Sequence, residues 1–120
     1  MGIARGRGAG GHGGGFLHTD LSTQRPLAEL LPPLVQSLRV PVLAAGGIAS
    51  DADVAAAMAM GAAGVQVGTA YLTCHEATTS ALHRRALQAT PPRTTALTNI
   101  FTGRPARGIV NHAMQSLGPM

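Results

Sequence analysis

Residues 40–72 read VPVLAAGGIASDADVAAAMAMGAAGVQVGTAYL, and the fold is decided here. The stretch opens with an apolar run over residues 40–45 that is too short for a helix, rich in β-branched and small side chains, and cut off by Gly46-Gly47. Such a run reads as a buried strand. Ser50 then stands three residues before Asp53, ahead of an unbroken Ala/Met/Val run that stops at Gly61. That is the pattern of a capped helix start and a glycine stop. A second apolar run, residues 64–67, meets Gly68-Thr69. Strand, helix and strand in so few residues make a βαβ unit, with parallel strands and a right-handed crossover.

Gly46-Gly47 and Gly68 each follow a strand, so side chains are missing at one end of the sheet, where something approaches the backbone. Ligands of α/β folds bind beyond the carboxyl ends of the strands, exposed N–H groups at a helix start attract anions, and Thr69 adds a hydroxyl donor. A phosphate suits such a place. Tight βα turns alone would also use these glycines.

Composition narrows the class. A chain of 120 residues with 45% hydrophobic content forms one small domain with a core, and with 2% aromatics that core is built from Ala, Leu, Val and Met. The single cysteine, Cys74, excludes an intramolecular disulfide. No apolar run reaches membrane-spanning length, and residues 1–15 are glycine and arginine rather than a signal-peptide core, so a soluble, cytoplasmic protein is expected. Net charge is +4, with nine arginines, no lysine and five acids, but the arginines are scattered and have no interleaved aromatics. Nucleic acid is therefore not the expected partner. Without lysine there is neither a Walker-type loop nor a Schiff base.

Outward from the centre, residues 1–15 contain a literal G-x-G-x-x-G at Gly8, Gly10 and Gly13. The dinucleotide fingerprint needs a strand before it and a helix after it, and the sequence shows no sign of either. An active-site loop fits better, with His12 unshielded between glycines and able to serve as acid, base or donor; a tail without function is the alternative. Leucines at helical spacing predict a helix from about Leu30 to Leu38 or Arg39, with Pro32-Pro33 in its first turn. A second helix is predicted over residues 76–89, with Ala77, Ala81, Leu82 and Leu87 on one side, Arg84-Arg85 on the other, and Pro91-Pro92 as the stop. Residues 94–120 read as an ordered loop followed by at most a short helix. His75, Glu76 and His83 lack metal-ligand spacing, so no metal site is expected, and Cys74 reads as an inert thiol. Arg104 and Arg107 either clamp an anion or bond loop carbonyls.

Taken together, A-G-G-H at residues 9–12, L-L-P at 30–32, P-V-L-A-A-G-G-I at 41–48, G-V-Q-V-G-T-A at 64–70 and G-R-P-A-R-G at 103–108 resemble the nitronate monooxygenases, once called 2-nitropropane dioxygenases. The resemblance covers nearly the whole chain. It implies an FMN-dependent TIM (β/α)8 barrel that oxidises alkyl nitronates with dioxygen. By position it implies FMN contacts at Gly10, Gly47, Gln66, Val67, Gly68 and Thr69, and a catalytic role for His12. Gly8 and Arg5 stand where the family has an acid and a glutamine. A whole barrel takes roughly 250 residues, so residues 1–120 correspond to the C-terminal part of a flavin-binding barrel domain. An incomplete barrel of parallel strands and crossover helices is expected, inactive alone and lacking the N-terminal half. Val42, Ala44, Val65 and Val67 would then face the vacant interior. The flavin-dependent enoyl-acyl-carrier-protein reductases share A-G-G-H, A-A-G-G-I and Q-V-G-T, while the G-R-P-A-R-G tail favours the nitronate enzymes. A non-catalytic phosphate-binding fragment is the remaining alternative.

Overall fold

The computed structural model describes residues 1–13 and 20–118, so the last glycines of the N-terminal loop, residues 14 and 15, lie outside the described residues. In chain order the elements are β1 (Gly2–Arg5), β2 (Gly11–His12), α1 (Leu27–Ser37), β3 (Val42–Ala45), α2 (Asp51–Ala59), β4 (Gly64–Gln66), α3 (Ala81–Leu87), β5 (Thr95–Thr98), β6 (Ala106–Ile109) and α4 (His112–Leu117). Turns of 3-10 helix occupy Leu21–Thr23 and Thr69–Thr73. The chain divides into two units, one of Met1–Ala9 and Gly14–Gly68, the other of Gly10–Gly13 and Thr69–Met120.

The first unit is a parallel sheet in the order β1-β3-β4. The expected βαβ motif is β3, α2 and β4. Ser50 caps α2 in a reciprocal box with Asp53, and Gly61 comes after the helix at φ +97°, a conformation that favours glycine. The third strand, β1, has only the short run Gly2-Ile3-Ala4 to mark it in the sequence, as the stub of a strand ahead of the glycine-rich loop. It corrects one expectation: a strand does precede the G-x-G-x-x-G of residues 8–13, although the next element in the chain is the short strand β2 and not a helix.

Ala4, Ala44 and Val65 stand side by side on neighbouring strands. Their face carries α1, packed on β1 and β3, and α2, packed on β4. Leu31, Ala4, Val42, Ala44, Ile48, Ala57 and Ala62 form the buried core, with Val65 and Val67 packed against it. Val42 and Ala44, 4% and 0% exposed, therefore lie under the helices and do not face an empty interior. Alternation puts Ile3 and Leu43 on the opposite face, where Ile3 is 53% exposed.

Helix α1 begins earlier than predicted and holds Pro32 and Pro33 in its interior. Each proline removes one donor to the carbonyl four residues back, those of Ala28 and Glu29. Both lie on the outer side of the helix, half-buried and exposed respectively, so water can serve those carbonyls. In return Leu31 is completely buried and Leu27, Leu30, Leu34 and Val35 reach the core. Full burial of one such side chain contributes about 1.5–3 kcal/mol, and five of them at least partly buried outweigh the proline cost.

The second unit is an antiparallel sheet in the order β2-β6-β5. Residues 94–110 thus form a hairpin where a loop was expected. Helix α3 starts at Ala81, shorter than predicted, because Ser80 Oγ accepts from His83 N and sets the first turn there. Leu82 is 74% exposed. Arg84, placed by the sequence on the outer side, is half-buried and donates to the carbonyls of Thr73, Cys74 and Ala77 at 2.6, 2.8 and 3.2 Å. Thr98 and Met114 are the unit's buried residues among those described.

Candidate functional site

Two structural clusters hold the residues singled out by the sequence, one at the carboxyl ends of β3 and β4 and one around β2. Ala45 pairs with Gln66, so Gly46-Gly47 and Val67-Gly68 leave neighbouring strands at the same end. The glycines there differ in their reasons. A Cβ on Gly46 would lie 3.0 Å from the Gly6 carbonyl and 3.2 Å from Ala9, so this glycine is dictated by packing. A Cβ on Gly47 or on Gly68 would meet nothing within 4 Å. Gly47 also has φ +71°. Among the described residues, neither its N–H nor that of Gly68 takes a backbone partner outside the regular elements.

The start of α2 is closed to an anion. Asp53 Oδ2 accepts from Ala49 N and Ser50 N, both at 3.0 Å, and Ser50 Oγ accepts from Asp53 N at 3.2 Å. The Ala49 N–H, then the Ser50 N–H and hydroxyl, hold the Asp53 carboxyl below its ordinary value of 3.8, so it is charged at neutral pH. A carboxylate thus already occupies the helix start that the sequence offered to a phosphate. Among the donors at this sheet end are Gly47 N–H and Gly68 N–H. Gln66 lies on the sheet face away from the helices, while Val67 turns its side chain into the core and has only its backbone to offer a ligand.

In the second unit Gly10 lies against Thr69, since a Cβ on Gly10 would be 2.8 Å from Thr69 Oγ1. Two residues on, His12 pairs with Ala106 across the β2–β6 ladder and its Nε2 lies 2.8 Å from Thr102 Oγ1. The sequence could not single out Thr102, which is ninety positions away and carries no motif. Arg107 donates to Thr95 Oγ1 at 3.1 Å across the hairpin, so part of its guanidinium is structural. A wide open groove of about 910 Å³ in this unit, lined by Arg85, Arg93, Arg107, His83 and His112 among others, has neither His12 nor Thr102 on its walls. Cys74 is half-buried, and among the described residues no three His, Cys, Asp or Glu side chains converge as a metal set. No helix among them is long and apolar enough to cross a membrane.

Charge divides unevenly. Arg5, Arg7, Arg25 and Arg39 balance Asp20, Glu29, Asp51 and Asp53 in the first unit, whereas five arginines face Glu76 alone in the second. The whole net charge of +4 therefore sits on the unit that carries His12.

The nitronate monooxygenase family profile matches residues 1–120. The chain belongs to that family. It is similar to a probable nitronate monooxygenase of Bacillus subtilis, 41% identical over 113 residues that make up 94% of this chain and 33% of the relative. The crystal structure of nitroalkane oxidase from Streptomyces ansochromogenes superimposes with a TM-score of 0.88 at 40% identity, over 98% of this chain and 34% of that one. FabK from Thermotoga maritima gives 0.75 at 31% identity, over 98% and 37%. The chain thus spans about a third of the length of its nitronate monooxygenase relatives.

Proposed function

We propose that residues 1–120 are the C-terminal part of a TIM (β/α)8 flavoenzyme that binds FMN and oxidises alkyl nitronates with dioxygen. The observation that carries this reading is the pair of bare backbone positions, Gly47 and Gly68, at the ends of adjacent parallel strands. Their open space and N–H groups fit a phosphate, which in barrels of this kind is held by loops after the last strands. The outer edges of β1 and β4, and the face bearing Ile3 and Leu43, fit the missing strands and interior of such a barrel.

In this reading Gly47 and Gly68 donate to the FMN phosphate, Thr69 adds its hydroxyl, and Gln66 and the Val67 backbone bound the cofactor. Gly10 leaves room for Thr69. When bound, the flavin supplies electron transfer between the nitronate and dioxygen. His12 donates to the nitronate oxygens or, where the neutral nitroalkane is presented, accepts the proton from its carbon to give the nitronate. The positive charge of its unit favours an anionic substrate such as a nitronate. Reduction of an enoyl thioester is the second reading, carried by the shared A-G-G-H, A-A-G-G-I and Q-V-G-T motifs and ranked lower because G-R-P-A-R-G favours the nitronate enzymes.

The test is a chimera in which these residues replace the corresponding third of the Bacillus subtilis relative. It should retain FMN and consume oxygen with an alkyl nitronate, with no turnover of an enoyl thioester. In it, His12→Ala should lower turnover by a factor on the order of 10² with FMN retained. Normal turnover in that variant would remove His12 from the chemistry, and a colourless, correctly folded chimera would remove the flavin.

A further inference from the structure

The hydrogen bonds around His12 bear on a question that the histidine alone leaves open: which ring nitrogen carries the proton. His12 Nε2 and Thr102 Oγ1 lie 2.8 Å apart, and Thr102 Oγ1 donates to the Arg104 carbonyl at 3.2 Å. A hydroxyl has one proton and two lone pairs. With its proton on Arg104 O, Thr102 has only lone pairs to offer the imidazole, an arrangement that calls for the proton on Nε2. In the neutral ring Nδ1 then holds the free lone pair.

We infer that Thr102 is the positioning residue for His12, fixing the Nε2–H tautomer and leaving Nδ1 as the nitrogen that meets the substrate. This rests on the reading of His12 as the reacting histidine. The loop that presents Thr102 is itself braced: Gly103 N donates to Asn99 O at 2.8 Å, Ile100 N donates to Thr98 Oγ1 at 3.3 Å, and Thr98 is 4% exposed. Pairing of His12 with Ala106 holds the other partner. The chain from Nε2–H through the Thr102 hydroxyl to the Arg104 carbonyl runs donor to acceptor throughout, so each bond polarises the next. Positive charge that develops on the ring when Nδ1 takes a proton is met by the oxygens of Thr102 and Arg104. The chemistry is that of an ordinary acid–base histidine whose orienting acceptor is a hydroxyl backed by a carbonyl rather than a carboxylate.

The tautomer can be read without flavin or substrate, from two-bond ¹⁵N–¹H correlation spectra of the full 120-residue chain labelled at histidine nitrogen, with the ring neutral. His12→Gln identifies the His12 signals. The protonated nitrogen should be Nε2. Thr102→Val should lower the ratio of Nε2–H to Nδ1–H by about fivefold, the weight of one ordinary hydrogen bond, and Thr102→Ser should restore it. Far-UV circular dichroism checks that each variant is folded. A wild-type ring protonated at Nδ1, or a folded Thr102→Val variant with an unchanged ratio, overturns the inference. If Thr102→Val does not fold, the wild-type assignment and the Ser variant decide it, since loss of Nε2–H in Thr102→Ser refutes a role for the hydroxyl. Turnover of the chimera plays no part in this measurement, so either reading can fail alone.

Discussion

Gly6 and Gly8 stand two residues apart in a run of glycines that look interchangeable, yet replacing each by alanine should give opposite results. A Cβ on Gly6 would lie 2.6 Å from Leu27 N, 2.9 Å from Leu27 Cβ and 3.0 Å from Leu27 Cα. The obstruction is mostly backbone, and it cannot rotate away. Gly6 N is tied to Ala45 O and Arg7 N to Arg25 O, both at 2.9 Å, so relief requires the end of β1 and the start of α1 to separate. An overpacked methyl of this kind costs about 1–3 kcal/mol. With a urea dependence of about 1 kcal/mol/M for a unit of this size, the midpoint should fall by about 1–3 M. Gly8→Ala, whose Cβ meets nothing within 4 Å, should leave it unchanged. Urea titrations followed by far-UV circular dichroism make the comparison. Equal midpoints for the two variants would refute the reasoning. Displacement of Gly6 also removes the surface on which Gly46 rests, so on the proposed function Gly6→Ala should weaken flavin binding by the chimera where Gly8→Ala does not.

Acid should act on α2 through Asp53. Its carboxyl is held below 3.8 in the folded chain by N–H bonds, so its contribution is complete above that ordinary value and is lost as pH falls through the lower, folded one. The stability difference between wild type and Asp53→Asn should accordingly be constant near neutrality and shrink below about pH 4, as read from denaturation at a series of pH values; a difference that persists with the carboxyl protonated would exclude the capping box as its source. Arg84→Met should cost about 2–4 kcal/mol through the loss of three charge-assisted bonds to carbonyls, speeding amide exchange over residues 69–77, whereas Arg85→Met, at an exposed position, should stay within about 0.5 kcal/mol. Matching losses for the two arginines would show that the carbonyl contacts carry no weight.

Legibility in the sequence tracks how local each signal is. The segment β3–α2–β4 announces itself because each boundary is marked by a neighbouring residue: glycines after the strands, Ser50 and Asp53 at the helix start, Gly61 at its end. In β5 and β6, T-A-L-T and A-R-G-I are short and carry no sustained alternation of apolar and polar residues, and they are paired by the chain turning back on itself. The start of α1 is displaced from its predicted place because two prolines outweigh leucine periodicity in local energy, while burial of Leu31 reverses that balance in the folded unit. Both faces of β3 are apolar, so its pattern does not say which one the helices cover. Of the candidate site, the glycines are legible as bare backbone, but the filling of the α2 start by the Asp53 carboxylate depends on side-chain geometry, and Thr102 is joined to His12 only by the tertiary fold.

The short strand β2 has an implication for the order of events during synthesis. Gly11–His12 is made well before its partner β6, which lies more than ninety residues downstream. The sheet of the first unit, whose most distant pairings span about forty residues, is able to form while the β5–β6 hairpin is still unmade. His12 must therefore wait, and closing so long a loop carries an entropic cost that only the finished hairpin can offset. The sheet of the first unit can therefore assemble before His12 acquires its partner, and the side chain of His12 is oriented only once the β5–β6 hairpin has been made.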